Sequence, residues 1–287
     1  MHWRRRLIAA GALVAALVVV LVIALAIHRS NGDGGQVATQ AAPVRMITIP
    51  EGYDRREIAA LAKENGIRGD YMKASEQVKG FDPARYGAQN PQSLEGFLFP
   101  ATYELPRHPT VDDLVTRQLT AFKQYISNVN MGYAKSKNLT TYDVLTIASM
   151  IEREVQVPKE RKLVAAVVYN RLHDGMPLQI DATIRFAENN YTKPLGQSDL
   201  HLNSPYNTYT NAGLPPGPIS NPGLASIQAA AHPARVSYLY YVVKPNTCGE
   251  HTFATTNAEF QRAQAAYNKA REAAGGQAPT PANCPGG

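Results

Sequence analysis

Apolar residues recur at helical spacing from Val144 through Ile147, Ala148 and Ile151 to Val155, and the rest of the chain is organised around that stretch. The stripe predicts a helix with one buried face. Thr140 and Asp143 stand three apart just before it, which is capping-box spacing. Pro158 disfavours helical geometry at Val157, so this helix should stop near Val155 or Gln156. A second stripe of Leu163, Val164, Val167, Val168 and Leu172 predicts a helix from Pro158 to a cap at Gly175. Thr110 and Asp113 open a third, with Leu114, Leu119 and Phe122 on its buried side, running to about Ile126. Thr256 and Glu259 open a fourth, to about Ala274. Asp54 and Glu57 open a short one that carries Ile58, Leu61 and Ala62 and ends at Asn65-Gly66. Tyr71–Lys79 and Leu224–Ala231 are weaker helical signals, the latter stopped by Pro233.

Strand signals are fewer. Val44–Ile49 closes on the turn Pro50-Glu51-Gly52. Ser237–Val243 is the strongest strand run, and His251–Ala254 is its return across a hairpin around Lys244–Glu250. Gly80–Ser93, Asn128–Asn138 and Pro177–Gly223 lack periodicity and read as turn or loop. A loop as long as the last of these is usually functional inside a compact domain. Together these elements predict an α+β fold.

The N-terminal end changes the picture. Leu7–Ile27 is an unbroken apolar run, about the 20 residues that a membrane-spanning helix needs. It exceeds the core of a cleavable signal peptide, and no Ala-x-Ala site follows. Arg4–Arg6 precede it, so the expected topology is a single pass with residues 1–6 in the cytoplasm and everything after 27 outside. Residues 28–43 read as a flexible linker and residues 275–287 as a flexible tail. The formal net charge of +6 suits anionic lipid or wall polymers. An external location argues against nucleic acid as a partner. Outside the cytoplasm the two cysteines, Cys248 and Cys284, are permitted a disulfide that would tie the tail to the body. Two free thiols are the alternative.

The organising helix carries Glu152 and Glu154 in its last turn, facing the negative end of the helix dipole. Residues two apart point about 200° apart, so they cannot work as a facing pair. Glu154 stacks over Ile147, Met150 and Ile151, whereas Glu152 stacks over Ala148 and Ser149. Desolvation therefore favours Glu154 as an acid that keeps its proton near neutral pH. The bland alternative, two solvated glutamates, is the one that helix physics alone favours. Gln179, Asp181, Asn203, Tyr206, Asn207, Tyr209 and Asn211 in the long loop suit a carbohydrate ligand or serve structure. His173, His201, His232 and His251 have no metal-ligand spacing, and no phosphate loop or Gly-x-Ser-x-Gly elbow occurs. No cofactor is called for. A lone carboxylate is awkward for glycoside hydrolysis, which uses two, unless Asp181 is the second. A lytic transglycosylase needs only one: the same carboxylate protonates the leaving oxygen and then takes a proton from the C6 hydroxyl, closing a 1,6-anhydro ring.

From about Val44 to about Tyr267 the chain resembles the endolytic murein transglycosylases of the YceG-like (MltG) family. The resemblance rests on Leu94–Tyr103, Ala148–Glu154, Val168–Leu172, Leu178–Asp181, Ser204–Thr210, Leu214–Ile219, Ala229–Pro233 and His251–Phe253, all in order. It implies that Glu154, the second glutamate of Glu-x-Glu, is catalytic. It also implies a small LysM-like module, here residues 44–92 with one strand–turn–helix unit, before a catalytic domain at 93–274. The implied substrate is the glycan strand of nascent peptidoglycan, cut between MurNAc and GlcNAc beside the peptidoglycan synthases at the cytoplasmic membrane. Glu95, Gln179, Asp181, Tyr206, Asn207 and Tyr209 are the expected glycan-groove residues. Ala101 and Ala182 replace residues common in the family and are assigned no role. A non-catalytic peptidoglycan-binding scaffold is the rival expectation.

Overall fold

A computed structural model of the chain describes residues 44–281 and 284. The apolar run Leu7–Ile27 and the linker lie outside them. Among the described residues no helix is long and apolar enough to cross a membrane. From Val44 onward the chain forms one compact unit. Its fold is mixed α+β, with two small antiparallel sheets.

The first strand, β1 (Arg45–Thr48), finds its partner far along the chain. It pairs with β2 (Thr102–Leu105), setting Ile47 opposite Tyr103. The pattern of apolar positions does not predict β2. Its four residues alternate exposed and buried, but they follow the louder apolar run Phe97–Pro100. Between these strands lies α1 (Arg55–Glu64), opened by the Asp54–Glu57 capping box. The expected helix Tyr71–Lys79 is cut to α2 (Tyr71–Ala74). The physical reason is Arg55, whose guanidinium donates to the Met72 carbonyl and, at 2.8 Å, to Ser75 Oγ. The Met72 carbonyl, which a further turn would offer to the Glu76 N–H, is taken by the guanidinium, and the Glu76 N–H donates to the Lys73 carbonyl instead. Inside the expected loop Gly80–Ser93, residues Pro83–Tyr86 form a 3-10 turn.

The core is built on α3 (Val111–Ile126), α5 (Thr141–Glu154), α6 (Arg161–His173) and α8 (Leu224–Ala231), with a short α4 (Gly132–Ser136) in the expected turn region. α5 packs against α6, α8 and α7 (Asp181–Glu188). It is not the one-faced helix that its stripe predicts. Every residue from Val144 to Ile151 is buried, so it is the central rod of the domain. Its buried hydroxyls are all used: Ser149 donates to the Thr146 carbonyl and accepts from the Ile219 N–H at 3.0 Å. α6 starts at Arg161 rather than at Pro158, because Pro158–Glu160 wind as a 3-10 turn. α7 corrects the reading of Pro177–Gly223 as loop. It spans eight residues, too few for its buried Ala182, Thr183 and Ile184 to show a period.

Two loop motifs meet at the far side of α5. Gly96, at φ +84°, lies where any Cβ would strike Pro218, so only glycine lets the Leu94–Pro100 and Leu214–Ile219 segments touch. Asn221 accepts the Gly96 and Leu98 N–H groups at 2.9 and 3.0 Å and fixes the join.

The second sheet is the hairpin of β3 (Tyr240–Val243) and β4 (His251–Ala254), backed by α9 (Asn257–Ala273). β3 is shorter than expected. The carbonyls of Val236 and Tyr238 accept from Asn170 and that of Leu239 from Arg171, so Tyr238 and Leu239 offer the hairpin no carbonyl, and only the Leu239 N–H reaches across, to the Ala254 carbonyl at 3.0 Å. The start of the tail is not loose. Cys248 and Cys284 form a disulfide with their Cα atoms 5.2 Å apart, and the Asn246 N–H donates to the Pro279 carbonyl.

Candidate active site

α5 ends where Val155 turns extended, at φ −96° and ψ 114°. That stop puts Glu154 at the mouth of the helix, in a cleft of about 560 Å³. The opposite walls come from the loop before α7, the β3–β4 hairpin and α9. Glu154, Gln179, Asp181 and Tyr209 line it, joined by Arg171, Tyr241, His251 and Phe260.

Glu154 is partly buried and weakly held. Its Oε1 accepts from the Ala182 N–H at 3.4 Å, and its Oε2 accepts from the Tyr241 hydroxyl at 3.3 Å. Burial pushes its carboxyl up to about 7, and the nearby charge of Asp181 pushes the same way. The two donors oppose this, since each stabilises the carboxylate. The result is a carboxyl that is both protonated and ionised in substantial fraction near neutral pH, as a group that must give and then recover a proton requires.

Asp181 is the first residue of α7, exposed to the cleft, and accepts from the Tyr209 hydroxyl at 2.5 Å. Burial and the partnership with Asp181 raise the Tyr209 phenol, so it stays a donor. Gln179 sits at φ +54°. Arg171 holds it there by donating to the Pro177 and Leu178 carbonyls and, at 3.3 Å, to the Gln179 side-chain oxygen.

Other expected groove residues are elsewhere. Asn207 is fully buried. Its amide donates to the Leu200 and Leu202 carbonyls and accepts from the Tyr209 N–H, so it shapes the loop and does not line this cleft. Glu95 lies under the start of α1, accepting from the Arg55 N–H at 3.0 Å and from the Asn221 amide at 2.6 Å. Burial raises its carboxyl to about 8. Tyr206 packs its ring on Phe186, with centroids 4.9 Å apart, outside the cleft lining. Glu152 points away from Glu154, as their angular separation requires. It accepts from the Gly223 N–H at 2.9 Å and lies 3.6 Å from Arg161.

Sequence reasoning missed Arg171, Tyr241, His251 and Phe260 as cleft residues. The first three stand in segments that carried the resemblance or the strongest strand pattern, but neither signal says which face a side chain takes. Among the described residues no cluster of His, Cys, Asp or Glu could hold a metal ion.

The YceG-like family model matches residues 28–266. An endolytic murein transglycosylase of Bacillus subtilis strain 168 is 34% identical over 236 residues, 82% of this chain and 63% of the relative. One from Streptococcus pneumoniae strain R6 is 34% identical over 239 residues, 73% of this chain and 42% of the relative. The chain thus spans less than two thirds of either relative's length. The crystal structure of a yceG-like protein from Listeria monocytogenes is similar at a TM-score of 0.67 and 31% identity, covering 79% of this chain and 78% of that one.

Proposed function

The chain belongs to the YceG-like family, and on that footing we propose that it is an endolytic peptidoglycan lytic transglycosylase whose catalytic residue is Glu154. The observation that carries this is the partly buried carboxyl at the end of α5, raised to about 7 in a cleft lined by polar and aromatic side chains. Protonated Glu154 gives its proton to the glycosidic oxygen as the C1–O bond of MurNAc breaks. The carboxylate then takes the proton of the C6 hydroxyl, O6 bonds to C1, and the acid is restored as the 1,6-anhydro ring closes. Asp181 faces the positive charge that develops on the sugar and favours the proton on Glu154 before the step. The names of the two curated relatives, both murein transglycosylases, support the substrate class.

The same reading takes Leu7–Ile27 as a single-pass anchor with a cytoplasmic N-terminus. Its length and the flanking Arg4–Arg6 support this. It takes residues 44–92 as a LysM-like module, supported by the β1–turn–α1 unit, and places the domain outside the cell membrane beside peptidoglycan synthases.

Asp181 supports a second reading, since a carboxylate in the same cleft could activate water and make the enzyme a hydrolase. Mass spectrometry of products separates the two. The full chain and its Glu154→Gln variant are incubated with uncrosslinked glycan strands. Anhydro-ended fragments from the wild type, with at least about 10²-fold less from the variant, are the expected result. Reducing ends would give the hydrolase instead. Glycan binding without any cleavage by the wild type would give the scaffold.

A further inference from the structure

One member of an ionisable pair that the reaction above leaves unused, His251, lines the cleft, and its partner Glu160 stands behind it. Glu160 closes the 3-10 turn before α6, and His251 opens β4. Glu160 Oε2 lies 2.8 Å from His251 Nδ1, and both carboxylate oxygens accept from the His251 backbone N–H, at 3.1 and 3.2 Å. The two side chains are only 5% and 6% exposed. Among the described residues Glu160's side chain has no other hydrogen-bond partner. Burying a carboxylate costs several kcal/mol unless it is hydrogen-bonded, and here both of its bonding partners are groups of one histidine, the backbone N–H and Nδ1.

A carboxylate only accepts, so Nδ1 carries the proton, and the ring's plane and orientation are set. The free end is Nε2. Among the described residues it has no hydrogen-bond partner, and it is not one of the fully buried side-chain polar atoms left without one, since the only such atom is Arg153 Nε. His251 lines the cleft with Glu154. Strand alternation puts Tyr241 and His251 on one face of the hairpin. Their rings meet edge to face at 5.2 Å, and the Tyr241 hydroxyl reaches Glu154. The Tyr241 side chain spans the gap between the acid and the imidazole.

We propose that His251 binds the glycan through Nε2, hydrogen-bonding a hydroxyl or acetamido group of a sugar next to the scissile bond, and that Glu160 is its positioning residue. The proposal rests on the glycan-cleaving reading of the cleft. A carboxylate that fixes one imidazole nitrogen and leaves the other for an external partner is the arrangement by which proteins aim a histidine.

The test uses the full chain in detergent with Glu154→Gln, so that glycan stays uncut, and with ¹⁵N-labelled histidine. Peptide-free GlcNAc–MurNAc oligosaccharide is titrated in, and the ring nitrogens are followed by long-range ¹H–¹⁵N NMR. The Nε2 resonance of His251 should move with saturation while Nδ1 stays. In the wild-type background His251→Ala should raise KM about tenfold with a smaller change in kcat, the signature of lost substrate binding. Glu160→Gln should raise KM part of the way with an unchanged thermal midpoint. An Nε2 resonance that stays still while the oligosaccharide binds overturns the proposal and leaves the proposed activity standing. So does a His251→Ala enzyme that is folded and has wild-type KM. A wild type that neither binds nor cuts glycan overturns the activity, and the His251 contact with it.

Discussion

Replacing Glu154 by Gln should stabilise the folded chain at pH 8 and do far less at pH 4.5. Gln keeps the shape of the side chain and can still meet the Ala182 N–H and the Tyr241 hydroxyl. What it removes is a proton equilibrium. In the folded chain the carboxyl is raised from its ordinary 4.5 to about 7. Below pH 4.5 it is protonated in both folded and unfolded states and costs nothing. As pH rises the unfolded chain ionises first, so stability is lost progressively until pH passes 7. At 1.36 kcal/mol per pH unit the full loss is about 3 kcal/mol, and solvent access through the cleft reduces it to about 2–3 kcal/mol. Urea denaturation of wild type and variant at several pH values reads the difference directly. The gap in midpoint should widen by about 1 M between pH 4.5 and pH 8, taking a slope of about 2–3 kcal/mol per molar. A gap that stays constant across that range would mean that Glu154 titrates as an ordinary solvated carboxyl. The case for it as a raised-pKa acid would then fail. The same variant is expected to be nearly inactive, so stability and activity should move in opposite directions at one residue.

Two further substitutions should shift the alkaline limb of the pH–activity profile in opposite directions. Asp181→Asn removes a charge that raises Glu154, so activity should fall at lower pH than in the wild type. Tyr241→Phe removes a donor that favours the carboxylate, so the limb should move to higher pH. Asn207→Ala strips three hydrogen bonds from a fully buried loop anchor and should cost about 2–4 kcal/mol by chemical denaturation, although Asn207 does not line the cleft. Cys248→Ser opens a closure of 36 residues and should cost up to about 4 kcal/mol. Proteolysis should then find the tail after Ala273 first.

Local signals were read well and distant ones poorly. The caps at Asp54, Thr110, Thr140 and Thr256 all form, because each is settled within four residues. β2 went unread because its partner lies 54 residues upstream. β3 starts later than its pattern predicts because side chains 66 and 68 residues away claim the carbonyls of Val236, Tyr238 and Leu239. The site divides the same way. The preference for Glu154 over Glu152 followed from the turn of its own helix. Its burial, however, is completed by Ala182 and Tyr241, from two other elements that the stripe could not show. Asn207 was misjudged because composition cannot tell an amide facing a ligand from one facing the backbone. The spacing of the histidines speaks only to metal ligation and holds no hint that Glu160 pairs with one of them.

Glu154 is mid-chain, but Tyr241, His251 and Phe260 belong to its last sixth. A ribosome therefore makes the acid long before it makes the wall that closes the cleft around it. A transcript cut short, or a product clipped before the hairpin, would carry the glutamate beside Asp181 and the Ala182 N–H but without the Tyr241 hydroxyl and the hairpin wall. Incomplete copies should cut the proposed glycan substrate poorly, because the cleft around the acid is closed only when translation has nearly ended.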